Sequence, residues 1–146
     1  MHKTPIHLNM KLKKKVFLLD KNNQNEYVRW FEKADQDLES AIFLKKMIPV
    51  PIEIICYHCQ QSAEKYLKAF LFLKKEPVKK THDLTVLYKT CLKYDRDFKT
   101  IEEACLNLTP YSVVTRYPYN IEFDENDVKV AIKNAIKIKK LALSKI

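Results

Sequence analysis

The sequence predicts an all-α fold, an up-and-down bundle of about five helices. Three observations carry that prediction. Apolar residues recur every three or four positions through most of the chain, which is the spacing of one helical face. Prolines punctuate the gaps between these periodic stretches. The 146 residues include no glycine at all, so the positive-φ turns on which tight hairpins depend are hard to build.

The first helix is predicted over Glu26 to Met47, with Asn25 as its N-cap after a polar linker, Lys21 to Asn25. Its core stripe is Tyr27, Trp30, Phe31, Ala34, Leu38, Ala41 and Ile42. Pro49 and Pro51 then break the chain. The second helix spans about Ile52 to Lys75 and stops before Pro77. It carries two unlike faces. Ile52, Ile55, Cys56, Cys59, Ala63, Tyr66, Leu67 and Phe70 form a core face, while His58, Gln61, Lys65 and Lys68 fall together on the other side.

Thr81 or Asp83 caps a third helix, which reaches about Tyr94 with Leu84, Leu87, Tyr88, Cys91 and Leu92 inward. A fourth, from about Phe98 to Leu108, has the stripe Ile101, Ala104, Cys105 and Leu108 and ends at Pro110. Tyr111 to Asn120 shows no helical period and contains Pro118, so a loop is predicted there. Asp124 caps the fifth helix, about Glu125 to Leu143, with Val128, Ala131, Ile132, Ala135, Ile138 and Ala142 inward and Lys129, Lys133, Lys137 and Lys140 outward. Residues 1–25 read as a basic arm, linker or short strand and residues 26–146 as one helical domain.

Composition narrows the chemistry. Without glycine, Walker A and dinucleotide fingerprints are excluded. The net charge of +9 favours polyanionic partners such as nucleotides, RNA or an acidic protein, although lysine also simply coats helices. No run reaches the length of a membrane span. Lys11 to Asp20 begins like a signal peptide, but its apolar run is short and ends in aspartate. Cys56, Cys59, Cys91 and Cys105 sit on apolar faces and read as reduced, buried thiols of a cytoplasmic protein, not as metal ligands. No metal or other cofactor is implied.

Three constellations are candidates for function. Tyr111 with Arg116 and Tyr117 combines a planar donor fork for phosphate with aromatic stacking faces. Alternatively, Arg116 pairs with Glu122 or Asp124 and the tyrosines pack. His82 beside Asp83 suits either a ligand at a helix start or plain capping. The stripe of His58, Gln61, Lys65 and Lys68 fits a solvated face, a homodimer seam or a phosphate contact. The lysine row of the fifth helix reads as a wet face.

Four ordered blocks resemble the HEPN domain, the "higher eukaryotes and prokaryotes nucleotide-binding" family. They are Trp30-Phe31 with Ala34, Asp37-Leu38 and Ala41; His58 to Gln61 with Ala63 to Lys65 and Leu67 to Ala69; Thr81 to Leu84; and Tyr111 with Thr115 to Pro118. The resemblance covers about Tyr27 to Leu143. It implies a dimerising helical bundle with an additional short helix, often found beside a minimal nucleotidyltransferase in toxin–antitoxin-like pairs. Several branches of the family are metal-independent ribonucleases that use an arginine followed four to six residues later by a histidine. Other branches bind nucleotides or support a partner. Here the window after Arg116 holds Ile121, Glu122 and Phe123, so the histidine is missing. The resemblance therefore implies a nucleotide-binding or accessory module, with Arg116, Tyr117, Tyr111, His82, Lys65 and Lys68 on nucleotide or RNA phosphate. The alternatives are a ribonuclease in which His58 or His82 moves the proton, or a recruitment scaffold with no ligand of its own.

Overall fold

The computed structural model describes residues 21–77, 79–114 and 123–146. Among them every regular element is helical. These are α1 (Lys21–Leu44), α2 (Ile52–Leu73), α3 (Leu84–Leu92), a 3-10 segment (Arg96–Ile101), α4 (Glu102–Leu108), the single turn α5 (Tyr111–Val114) and α6 (Glu125–Ser144). The five predicted helices are all present, and the fold is an all-α bundle.

The second helix sits at the centre. It packs along α1 and α6 and also meets α3, α4 and α5. This explains its composition: Ile55, Cys56, Cys59, Ala63, Tyr66, Leu67 and Phe70 are sealed, and so are Gln60, Ser62 and Glu64. A helix contacted from several directions has little wet surface, so its polar residues must find partners inside the protein. Ser62 does so by donating to the Ala34 carbonyl at 2.8 Å, pinning α2 to α1. Tyr66 donates to Asp35, which also pairs with Lys139 of α6 at 2.9 Å. Rings of Tyr27, Phe31 and Tyr66 meet in sequence, tilted and then edge to face, with centroids 5.0 and 5.7 Å apart. Phe70 meets Phe98 at 4.5 Å. Burying each such ring contributes about 1.5–3 kcal/mol.

The sequence expectations are corrected in several places, including the ends of α2 and α3, which stop at Leu73 and Leu92 instead of Lys75 and Tyr94. Lys21 to Asn25 is the start of α1, not a linker, so Asn25 is not its N-cap, and the helix ends at Leu44, short of Met47. Tertiary burial of Tyr27 and Phe31 outweighs the weak helix preference of the asparagines before them. The segment before α4 winds as a 3-10 helix capped by Asp95, whose side chain accepts from the Asp97 amide at 2.9 Å. Tyr111 to Val114 forms one turn of helix where a loop was predicted. Pro110 does not forbid it, because a proline ahead of a helix's first turn sacrifices no intrahelical bond. Finally, Ile42 was assigned to the core and is exposed.

The caps follow the sequence closely. Asp83 accepts from the Thr85 amide at 2.8 Å at the start of α3. Asp124 and Asp127 exchange reciprocal bonds in a capping box that opens α6. All six core positions predicted for α6 are buried.

Candidate functional site

Positions 58, 61, 65 and 68 of α2 advance by three, four and three residues, so they form one stripe. The stripe was predicted to lie away from the core. Instead it lies half-buried along the seam with α1, because α2 is enclosed on most sides. Two carboxylates organise it. Asp37 of α1 holds His58 through Nδ1 at 3.0 Å and also pairs with Lys65. Glu64 of α2, almost fully buried, holds His82 through Nδ1 at 3.0 Å and Lys68 at 3.1 Å.

Gln60 ties the second group together by donating to the His82 carbonyl at 2.9 Å, and Gln61 donates to the Gln60 side-chain oxygen at 2.7 Å. Lys68 also lies 5.7 Å from the Trp30 ring centre, a cation–π contact. Thr81 steadies the chain beside His82 by accepting from the Asp83 amide at 3.1 Å.

The electrostatics are balanced. Two carboxylates face two ammonium groups, so the stripe has little net charge to attract an anion by itself. What it offers is two oriented imidazoles. Burial pulls the Asp37 carboxyl upward in pKa, but hydrogen bonds and charge from His58 and Lys65 outweigh it and hold the group below its ordinary range. An ionised carboxylate only accepts, so the His58 Nδ1 carries the proton and Nε2 is left for another partner. His82 is 63% exposed, whereas the Glu64 carboxylate behind it is only 4% exposed. A buried acid thus backs an accessible base.

His58 also lines an open groove of about 730 Å³ with Gln36, Ser40, Ile42 and Phe43. Met47, Ile48 and Ile54 extend the exposed apolar surface of this region of the chain.

The predicted residues therefore fall into groups. His58 and Lys65 share Asp37, and His82 and Lys68 share Glu64. Tyr111 lies elsewhere, half-buried on α5, with its ring 5.5 Å from Phe123 and its hydroxyl against the Cys56 thiol. Burial and the neighbouring thiol push its pKa upward. Arg116 and Tyr117 lie outside the described residues, as do the alternative ion pair of Arg116 with Glu122 and the arm over residues 1–20. Among the described residues, no three potential ligands gather for a metal ion. All four cysteines are buried and unpaired. Burial pushes Cys56 up to about 11 and Cys105 up to about 12, which makes them poor ligands and poor nucleophiles.

Asp37, Gln60 and Glu64 stand in the blocks that resemble the family, but sequence reasoning gave them no role in the site. Glu64 and Lys68 were detectable as a favourable i,i+4 pair, but Asp37 gave no local signal because its partners come from another helix.

The comparisons with known proteins bear on the same segment. The HEPN domain family model matches residues 27–146. The crystal structure of ST0689, an archaeal HEPN homologue, superposes with a TM-score of 0.64 at 25% identity, covering 82% of this chain and 96% of that one. No curated protein gives a significant match. With a helical bundle of the same architecture and a family match over most of its length, the chain belongs to the HEPN domain family.

Proposed function

We propose that this chain is a nucleotide- or RNA-phosphate-binding module that works as a homodimer and as an accessory to a minimal nucleotidyltransferase, in a toxin–antitoxin-like pair. One observation carries this reading: His58, Lys65, Lys68 and His82 gather along one seam, with both histidines anchored through Nδ1. Each Nε2 is then left as an acceptor for a ribose hydroxyl, while the ammonium groups of Lys65 and Lys68 are the donors for phosphate. Arg116 and Tyr117, outside the described residues, are the side chains proposed to supply a guanidinium fork and a stacking ring. Exposed Ile42 and Phe43, which line the His58 groove, favour a second copy on that side. The four unpaired thiols suit a reducing cytoplasm.

The test is titration of ATP, GTP and a short RNA into wild type, Arg116→Ala and His82→Ala. Each variant is expected to lose about tenfold or more in affinity, roughly 1.4 kcal/mol. Equal affinity across all three proteins discards the site. A pull-down that recovers a nucleotidyltransferase, with no nucleotide bound to this chain, selects the recruitment scaffold instead.

A second reading, RNA cleavage without metal, is favoured by the His82–Glu64 pair. A buried carboxylate behind an exposed imidazole is suited to proton transfer. In that reaction His82 or His58 removes the ribose 2′-OH proton, the 2′-oxygen attacks phosphorus as the bond to the 5′-oxygen breaks, and the 5′-oxygen takes a proton from water. Intact RNA after incubation in EDTA rules it out.

A further inference from the structure

The lysine row of α6 is not simply a wet face. Lys129, Lys133, Lys137 and Lys140 border a groove of about 740 Å³ between α6 and α4, with Lys45, just beyond the end of α1, on its edge. Among the described residues none of these five lysines has a carboxylate within ion-pair distance, although Lys65, Lys68, Lys99, Lys139 and Lys145 all do. Glu103 is the single acid among the lining residues.

The floor of the groove is aliphatic. Ala104, Ile132 and Ile136 line it, and Val130 stands 41% exposed beside them. Asn134, also lining it, keeps Nδ2 without an acceptor among the described residues. Among the described residues no aromatic ring and no arginine borders the groove. It therefore lacks the stacking platforms and planar forks by which single-stranded nucleic acid is held. An aliphatic floor with an ammonium rim complements a different ligand: one with apolar side chains at its centre and carboxylates at its margins. The row from Lys129 to Lys140 is twelve residues long and spans about 16 Å at helical rise, which matches roughly three turns of a docked helix. We infer that this groove docks an acidic amphipathic helix of a protein partner. It shares no residue with the histidine seam, and the inference stands whether or not the seam binds nucleotide.

The probe is a labelled synthetic helical peptide with leucine at i, i+3, i+4 and i+7 and glutamate elsewhere. A scrambled peptide of the same composition, with its leucines spread around the helix, is the control. Anisotropy is expected to show the patterned peptide binding about tenfold more tightly than the scrambled one. Lys133→Glu with Lys137→Glu is expected to weaken it by a further tenfold or so, and Val130→Asp to weaken it as well. Lys89→Glu with Lys93→Glu, the same charge change on exposed positions of and beside α3, is expected to leave affinity within about twofold. Circular dichroism on each variant confirms that the fold is kept. The proposal is overturned if the patterned peptide fails to bind, if both peptides bind alike, or if the α3 pair matters as much as the α6 pair. It is also overturned if oligouridine RNA displaces the peptide and loses affinity in the α6 variant, because the groove is then a nucleic-acid track.

Discussion

Asp37 shows how much a single residue decides here. It fixes the tautomer of His58, neutralises Lys65 and joins two helices, all from one half-buried carboxylate. Its folded pKa is depressed, so its contribution to stability is complete above the unfolded value of about 3.9 and is lost as the pH falls through the lower folded value. Asp37→Asn is expected to melt several degrees below wild type at pH 7, with the gap closing toward pH 2 as wild type becomes protonated too. Melting curves recorded across that range check it, and a gap that does not change with pH refutes the assignment. At this scale the sequence was half legible. His58, Lys65, Lys68 and His82 stand out as polar residues on amphipathic or capping stretches. Asp37 and Glu64 do not, because a carboxylate on a helix looks solvated until the neighbouring helix is in place.

Among the elements, the end of α2 shows the consequence of a glycine-free chain. The Glu76 amide donates to the Leu71 carbonyl and the Lys75 amide to the Phe72 carbonyl, both at 3.0 Å, which is the Schellman pattern. The pattern requires a left-handed residue, and Lys75 takes that role with φ of 58°. A side chain with a Cβ is disfavoured there by roughly 1 kcal/mol relative to glycine. Lys75→Gly is therefore expected to raise the melting temperature by about 2–4 °C without altering the helices. A lowered melting temperature in calorimetry contradicts this account. The α6 helix was readable from end to end because its capping box and its 3.6-residue period agree. The start of α1 and the turn at Tyr111 were not readable, since asparagines and a proline argue locally for loops, while burial of Tyr27 and Phe31 anchors α1 and contact with α2 holds the turn.

For the molecule as a whole, the order of helices followed from periodicity and from prolines at the junctions, whereas the central place of α2 did not, because its polar stripe reads as an outer face until α1 and α6 are packed against it. The exposed apolar side did not, because Ile42 continues the α1 stripe beyond the point where α2 covers it. Phe43 is 69% exposed and Ile48 94%, and a second copy of the chain is the proposed cover for Phe43. Light scattering is expected to give a dimer for wild type and a monomer for Phe43→Asp. A wild-type monomer at every concentration removes the homodimer.

One consequence of the sealed sulfur atoms remains. Cys56 and Cys59 sit on α2, Cys91 on α3 and Cys105 on α4, all shielded from water. An alkylating reagent can reach them only in molecules that have transiently opened, so their modification rates act as a built-in clock for breathing of the bundle. If all four react in step, the domain opens as one cooperative unit. If the Cys91 and Cys105 pair is modified first, the α3–α4 half detaches while the central helix stays shut.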